Sequence, residues 1–527
     1  MNREHIRSIY ARWRRSLLTG EGGQALPIAL AALALGTLVV APFLSHASTT
    51  LIGSGAYGSL INENYAADAG VEHAIWSLTD TSLASQLTNP GDSCSYPLSY
   101  QVNSFTPGIN ITRLPPEGGG GGSEGAITDT VLDTLVFSSY GATPSIVPVY
   151  GNIYAIAYRG PSNDGFVSTV NIAADGSIGN SVIDTLEFDT SDGYEPCIIH
   201  ISGDCYAIAY RGSGNDGFLR TVNIATDGMI ANSVTDTYEF DTANGYEPYI
   251  TPISGNVYAI TYRGTASGSS GYLITLTIAT NGAITKSAID TLTFSTTAYT
   301  PSTIPVSGNI YAITYCGPSN DGFVSTVNIA ADGSIGNSVI DTLEFDTSDG
   351  YEPCIIHISG DYYAIAYRGS SNDGFLVTVN IASDGMIANS ITDTYEYDTS
   401  DGYEPGISPV LGDVYAISYC GTSNRGYLIT LTIDDSGAIT KSAIDTLIFD
   451  NNTGYEPVIL YISGNIYAIA YRGFNNNGYL TAVEIVTATD AFYLIQSTAG
   501  SSIITAKARI SSDSTVKVLS WQLSKVP

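Results

Sequence analysis

The side chains that could do chemistry here are carboxylates set in recurring loops. One loop, Arg159-Gly160-Pro161-Ser162-Asn163-Asp164-Gly165, returns with Asp216, Asp321 and Asp373 in the place of Asp164. A second, Asp189-Thr190-Ser191-Asp192-Gly193-Tyr194-Glu195-Pro196, returns with Asp241 and Glu247, with Asp346, Asp349 and Glu352, and with Asp398, Asp401 and Glu404. Hard cations take oxygen ligands of this type, so Ca2+ is the cofactor these loops suggest, with Asp189, Asp192, Glu195, Asp346, Asp349 and Glu352 as ligands. The spacing lacks the alternating ligands of a calcium loop, and Asp and Asn also serve plain turn geometry.

Arginines recur beside these acids. Arg159, Arg211, Arg263, Arg368 and Arg472 each end a Tyr-Ala-Ile run, and Glu195, Glu247, Glu352 and Glu456 precede the arginine of their own unit by a constant interval. That pattern predicts cross-strand ion pairs worth ~0.2–1 kcal/mol each. Cys316 and Cys420 replace the arginine in two units. The candidate ligand-binding face is Arg159, Asp164, Asp192, Glu195, Arg211, Asp216, Glu247, Arg263, Asp349, Glu352, Arg368, Glu404, Glu456 and Arg472.

No catalytic residue is nominated. The chain has no His-Glu-x-x-His, nucleophile elbow or phosphate loop. The Asn-Asp-Gly-Phe stretches resemble the aspartate boxes of sialidase-like propellers but lack the Trp and the spacing. Glycoside hydrolysis needs two carboxylates ~5–9.5 Å apart, and the sequence singles out no pair. Six cysteines lack zinc spacing; Cys197 and Cys205 flank one hairpin and form the nearest pair for a disulfide.

The scaffold behind these loops is a repeat. Tyr-Ala-Ile-x-Tyr starts at Tyr154, Tyr206, Tyr258, Tyr311, Tyr363, Tyr415 and Tyr467, in steps of 52 or 53 residues. Each unit holds four short runs rich in β-branched and aromatic residues, as at 198–201, 206–211, 218–224 and 234–240, with Gly, Asp or Asn turns between them. Seven such units predict a seven-bladed β-propeller of four-stranded blades, in which both longer loops of every blade fall on one face. The last unit lacks its outer run. A matching piece, Gly125-Ala126-Ile127 to Asp133-Thr134-Leu135-Val136-Phe137, precedes the first unit and is predicted to complete the last blade, removing both free edges. The Asp-Thr pair that opens every outer run, from Asp133 to Asp445, is expected to tie blades or turns. Residues 160–204 and 317–361 are identical, the mark of a copied three-blade block.

Composition sets limits. The 527 residues carry 50 acidic and 19 basic side chains, a net charge of −31, which argues against nucleic acid as a partner. Apolar residues make up 44%, enough for a large core. The positive charge collects at the start: residues 1–24 hold Arg3, Arg7, Arg12, Arg14 and Arg15, a net +3. Residues 25–44 follow as an uncharged run long enough to cross a bilayer. The basic flank predicts a single-pass protein of the cell membrane, N-terminus in the cytoplasm and bulk outside. A cleaved signal peptide ending near Ser45-His46-Ala47 is the competing expectation.

Gly22-Gly23-Gln24-Ala25-Leu26-Pro27-Ile28-Ala29-Leu30, followed by Tyr65-Ala66-Ala67-Asp68-Ala69-Gly70-Val71-Glu72-His73-Ala74, resembles the N-terminal region of PilX-type minor pilins and of Tad-type pseudopilins. The resemblance covers about residues 20–80, and the chain departs from it in having no Glu within the apolar run. It implies a long helix under a small sheet, incorporation in a type IV pilus, and other pilins or pilus assembly proteins as partners. Residues 45–117 would give the pilin-like helix and first strands, 118–124 a Gly-rich linker, 125–489 the propeller and 490–527 the closing strands of a split head. The function expected is adhesion or recognition at the cell surface, with a glycan or protein surface as ligand. An exported enzyme acting on polysaccharide and a structural spacer of the cell envelope are the alternatives.

Overall fold

The computed structural model describes residues 56–80, 83–87, 91–114, 125–264, 269–486, 491–510 and 516–525. The expected membrane segment at 25–44 lies outside them. No helix among the described residues is long and apolar enough to cross a membrane. The chain divides into two compact units, one of 1–112, 493–508 and 518–527, the other of 113–492 with 509–517.

In the first unit the helix Ala56–Asp80 precedes a five-stranded sheet. Strands Ser93–Pro97 and Gly108–Leu114 pair with each other, and Gly108–Leu114 lies next to Ala491–Ala499, which is followed by Ser502–Ile510 and Val516–Lys525. One sheet is thus built from both ends of the chain. Ala67, Val71, Ala74 and Leu78 recur at helical spacing and are buried. Gly70 belongs to the same stripe, where a Cβ would fall 2.1 Å from Ser497 Oγ. Glu63 accepts hydrogen bonds from the backbone N–H and hydroxyl of Ser501, fixing the helix to the turn between Ala491–Ala499 and Ser502–Ile510.

The second unit contains seven four-stranded antiparallel sheets. Blade 1 spans 142–189, and blades 2 to 6 span 194–241, 246–295, 299–346, 351–398 and 403–450. Blade 7 holds three strands from 455–484, and its fourth is Asp133–Ser138, paired with Gly478–Ala482. The predicted closure by the preceding segment is therefore present. Innermost strands of successive blades adjoin each other all the way round, blade 7 against blade 1 included. The ring is a closed β-propeller.

The repeat motif explains the packing. Within Tyr-Ala-Ile-x-Tyr the side chains alternate across the second strand. The small residues face the next blade and the large ones the previous blade: Ala155 and Ala157 of blade 1 meet Tyr206, Ile208 and Tyr210 of blade 2. Ala468 and Ala470 of blade 7 meet Tyr154, Ile156 and Tyr158 of blade 1 in the same way. Small against large fills the wedge between twisted sheets without voids.

The outer-strand aspartates staple the rim in every blade. One carboxylate oxygen accepts the N–H of the following threonine, and the other reaches the next blade. Asp133 Oδ2 accepts from Ile178 N at 2.8 Å, and the series runs through Asp184, Asp236, Asp290, Asp341 and Asp393. Asp445 closes it on Ile127 N at 2.8 Å. The expected role of these residues is the observed one. Cys197 and Cys205, the nearest pair in sequence, are not bridged, and all six cysteines are free. Cys197 packs towards blade 3 while Cys205 is buried beside Gly282, so the two thiols serve different contacts.

Candidate functional site

The arginines and glutamates of the sequence pattern meet at one end of the innermost strands, forming a mouth to the ring. A β-bulge there, seen as a register shift between Tyr194 and Cys197, puts Glu195 in the left-handed backbone region at φ 53°. The same conformation recurs at Thr143, Glu247, Thr300, Glu352, Glu404 and Glu456. Non-glycine residues seldom adopt it, and in four blades a complete network holds it in place.

That network has three parts. Arg211 donates Nε and Nη2 to the two oxygens of Glu195 at 3.2 and 3.0 Å, a fork-to-fork pair. Arg263–Glu247, Arg368–Glu352 and Arg472–Glu456 repeat it at 3.0–3.1 Å, so all four expected ion pairs form. Each glutamate also accepts the N–H of the equivalent residue one blade on: Glu247 N to Glu195 at 2.8 Å, Glu404 N to Glu352 at 2.8 Å, Glu456 N to Glu404 at 2.6 Å and Thr143 N to Glu456 at 2.6 Å. Thirdly, the guanidinium lies between tyrosine rings. Arg211 is 4.0 Å from the Tyr194 centroid and 4.8 Å from Tyr246 of blade 3. Arg263 repeats this with Tyr246 and Tyr299, and Arg368 with Tyr351 and Tyr403. The pairs remain partly open to solvent, with side-chain exposure of 14–27%.

Three blades break the pattern, each differently. Blade 1 keeps Arg159 but has Thr143 for the glutamate, and Arg159 Nε is buried without a hydrogen-bond partner among the described residues. Blade 4 has lost both members, carrying Thr300 and Cys316. Blade 6 keeps Glu404 opposite Cys420. Burial, reinforced by the charges of Glu456 and Glu352, pushes the Glu404 carboxyl up to about 8, although Arg472 opposes the shift. Burial and the carboxylates around them push Cys316 and Cys420 up to about 12, so both thiols stay protonated and neither is a ready nucleophile or thiolate ligand.

The other predicted residues scatter. Asp189 accepts the Ser191 N–H at 2.9 Å and the Tyr210 hydroxyl at 2.6 Å, and pairs with Arg220 at 2.8 Å. Asp346 likewise takes the Ser348 N–H at 2.8 Å and the Tyr367 hydroxyl at 2.7 Å. Both serve blade-to-blade contacts. Glu195 and Glu352 are committed to their arginines. Asp349 lies beside the Tyr351 phenol and Cys316 at the mouth, and Asp192 holds the equivalent loop position in blade 2. The six proposed calcium ligands do not converge, and no group of three or more His, Cys, Asp or Glu among the described residues is arranged to hold a metal. Asp164 and Asp216 are drawn away from the mouth, to Glu187 and Glu239 of the outer strands; hydrogen bonding and charge there, after burial, raise both glutamates above their ordinary range.

Sequence reasoning missed the tyrosine ring. Its signal was the Gly-Tyr-Glu-Pro string opening most blades, placed so that Tyr pairs with the Arg of the second strand, as Tyr194 does with Arg211. It also missed Tyr249. Burial, with the Cys197 and Cys354 thiols nearby, pushes this phenol well above its ordinary range.

No family model matches the chain, and no curated protein matches it. Solved structures do. A candidate 6-phosphogluconolactonase from Bacteroides uniformis aligns at 11% identity and a TM-score of 0.46, covering 72% of this chain and 98% of its own. Sqt1 from Chaetomium thermophilum aligns at 12% and 0.41, covering 76% and 100%. BBS1N, in a complex with ARL6DN, aligns at 8% and 0.43, covering 69% and 99%.

Proposed function

We propose that this chain is a minor-pilin-like protein of the cell surface that presents a β-propeller for adhesion or recognition. The observation that carries the reading is the sheet of the first unit. Its strands come from residues before and after the propeller, so the propeller interrupts a small helix-plus-sheet head of the sort the N-terminal resemblance implies. In this reading residues 25–44 hold the chain in the membrane or in a pilus, other pilins or pilus assembly proteins are its partners, and the propeller mouth faces a glycan or protein surface. Its aromatic, charged and partly open residues are the kind that dominate binding interfaces.

The test is made in cells. Removing residues 125–489 while keeping the head should abolish attachment without removing the head from the surface. Full attachment by such cells, or a propeller beyond the reach of protease added outside, would overturn the reading. Polysaccharide cleavage by the purified chain, lost on Glu404→Gln, would favour the enzyme alternative instead.

A further inference from the structure

The ring supplies its own template for a ligand. In blades 2, 3, 5 and 7 a guanidinium meets the glutamate of its blade and the face of the tyrosine that opens that blade. Blade 6 keeps the rest of the arrangement. Tyr403 and Tyr455 flank the place, and Glu404 keeps both its left-handed backbone and its bond to Glu456 N. Tyr403 is the register partner of Cys420, and Glu404 accepts the N–H of Glu456, the neighbour of Tyr455, which puts the four groups together. Cys420 stands where the arginine would be, and its short, neutral side chain neither balances Glu404 nor covers the rings.

We propose that the blade 6 mouth binds a guanidinium group of a partner protein's arginine, seated between Tyr403 and Tyr455 on the carboxylate of Glu404. This names the ligand chemistry of the recognition surface proposed above and rests on that reading. A guanidinium satisfies both requirements of the place, a forked donor for a carboxylate and a flat cation for aromatic faces. Blade 4 is the internal contrast: there the glutamate has gone with the arginine, leaving Thr300 and Cys316 in the clamp positions, so the blade supplies no clamp carboxylate of its own. The chain's net charge of −31 would draw a basic partner towards it.

Titratable and charged groups face Glu404 from every side. Glu352 of blade 5 and Glu456 of blade 7 raise its carboxyl, Arg472 lowers it, and Cys420 lies across the same strand pair. The carboxyl, about 8 when free, releases its proton to solvent as the cation seats. Affinity should therefore rise from pH 6 to pH 9.

The experiment is calorimetric titration of the full-length chain with N-acetyl-arginine amide and with its neutral isostere, N-acetyl-citrulline amide. The arginine probe should bind saturably, and the citrulline probe more weakly by about tenfold or more, the value of a charge-assisted hydrogen bond. Cys420→Arg should abolish binding by supplying the cation from within. Glu404→Gln, which keeps an acceptor for Glu456 N, should weaken it by a similar factor while the thermal midpoint confirms folding. Equal binding of both probes, or undiminished binding by either folded variant, would overturn the proposal. Probe binding is read on purified protein, so its failure is separate from a failure of attachment in cells.

Discussion

The rim and the mouth of the propeller are both built from carboxylates that reach from one blade to the next, yet they differ in uniformity. At the rim, an aspartate spans to the next blade in all seven repeats, from Asp133 to Asp445. At the mouth, the Arg–Glu clamp is complete in four, and blades 1, 4 and 6 each break it in their own way. The difference follows from what each group satisfies. A rim aspartate is the acceptor for two backbone N–H groups at once, and the loss of either leaves a donor without a partner. A mouth glutamate takes one backbone N–H of the next blade, and its ion pair with arginine is partly exposed, so losing the pair while an acceptor remains costs less. The rim holds the ring together, and the mouth is free to vary.

This comparison can be broken by measurement. The largest effect is expected from overfilling the wedge between blades: Ala157→Leu pushes into Tyr206 and Ile208 and should destabilise by about 1–3 kcal/mol, read from the denaturant midpoint. Asp341→Ala should cost about 1–3 kcal/mol by orphaning the N–H groups of Thr342 and Ile387, and Asp341→Asn should recover part of it. Glu195→Gln should cost no more than about 1 kcal/mol. A Glu195→Gln loss matching that of Asp341→Ala would erase the distinction between rim and mouth.

A sharper version uses pH. The Glu404 carboxyl sits at about 8 in the folded chain against an ordinary 4.5, so the folded state holds its proton more tightly than the unfolded one. Its contribution to stability is fully present below pH 4.5 and is lost as pH rises towards 8. Glu404→Gln should therefore gain stability relative to the parent chain as pH rises through that window. A constant difference across it would show that Glu404 is not the strained member of the ring. The smallest effect belongs to the exposed clip between Lys286 and Asp236, where Lys286→Met should cost about 0.2–1 kcal/mol and vanish in high salt.

Much of the ring was legible in the sequence because periodicity repeats the same physical problem seven times. The Tyr-Ala-Ile spacing, the Asp-Thr pairs and the unmatched segment before Tyr154 each had one geometric meaning in a closed ring, and the structure has it. The constant interval from Glu to Arg likewise became four ion pairs. The six suggested calcium ligands do not converge, and the sequence could not show it, because an aspartate in a turn looks the same whether its oxygens point outwards or, like those of Asp189 and Asp346, are already taken by a serine N–H and a tyrosine hydroxyl of the next blade. The tyrosine ring stayed hidden for a related reason. Tyr194 and Tyr206 are both tyrosines near the start of a strand, and only the stacking of neighbouring blades separates the one that meets arginines from the one that fills the core.

The central claim is closure of the ring by a strand that precedes the repeats. Thr134 and Thr481 are register partners across that join, their hydroxyl oxygens 3.0 Å apart. Cysteines at both positions come within reach of disulfide geometry. In the Thr134→Cys, Thr481→Cys chain, mild oxidation should link the two peptides by mass spectrometry and raise the thermal midpoint. Failure of the two peptides to link in a folded chain would mean that the segment lies elsewhere, and the closed propeller would fall with it.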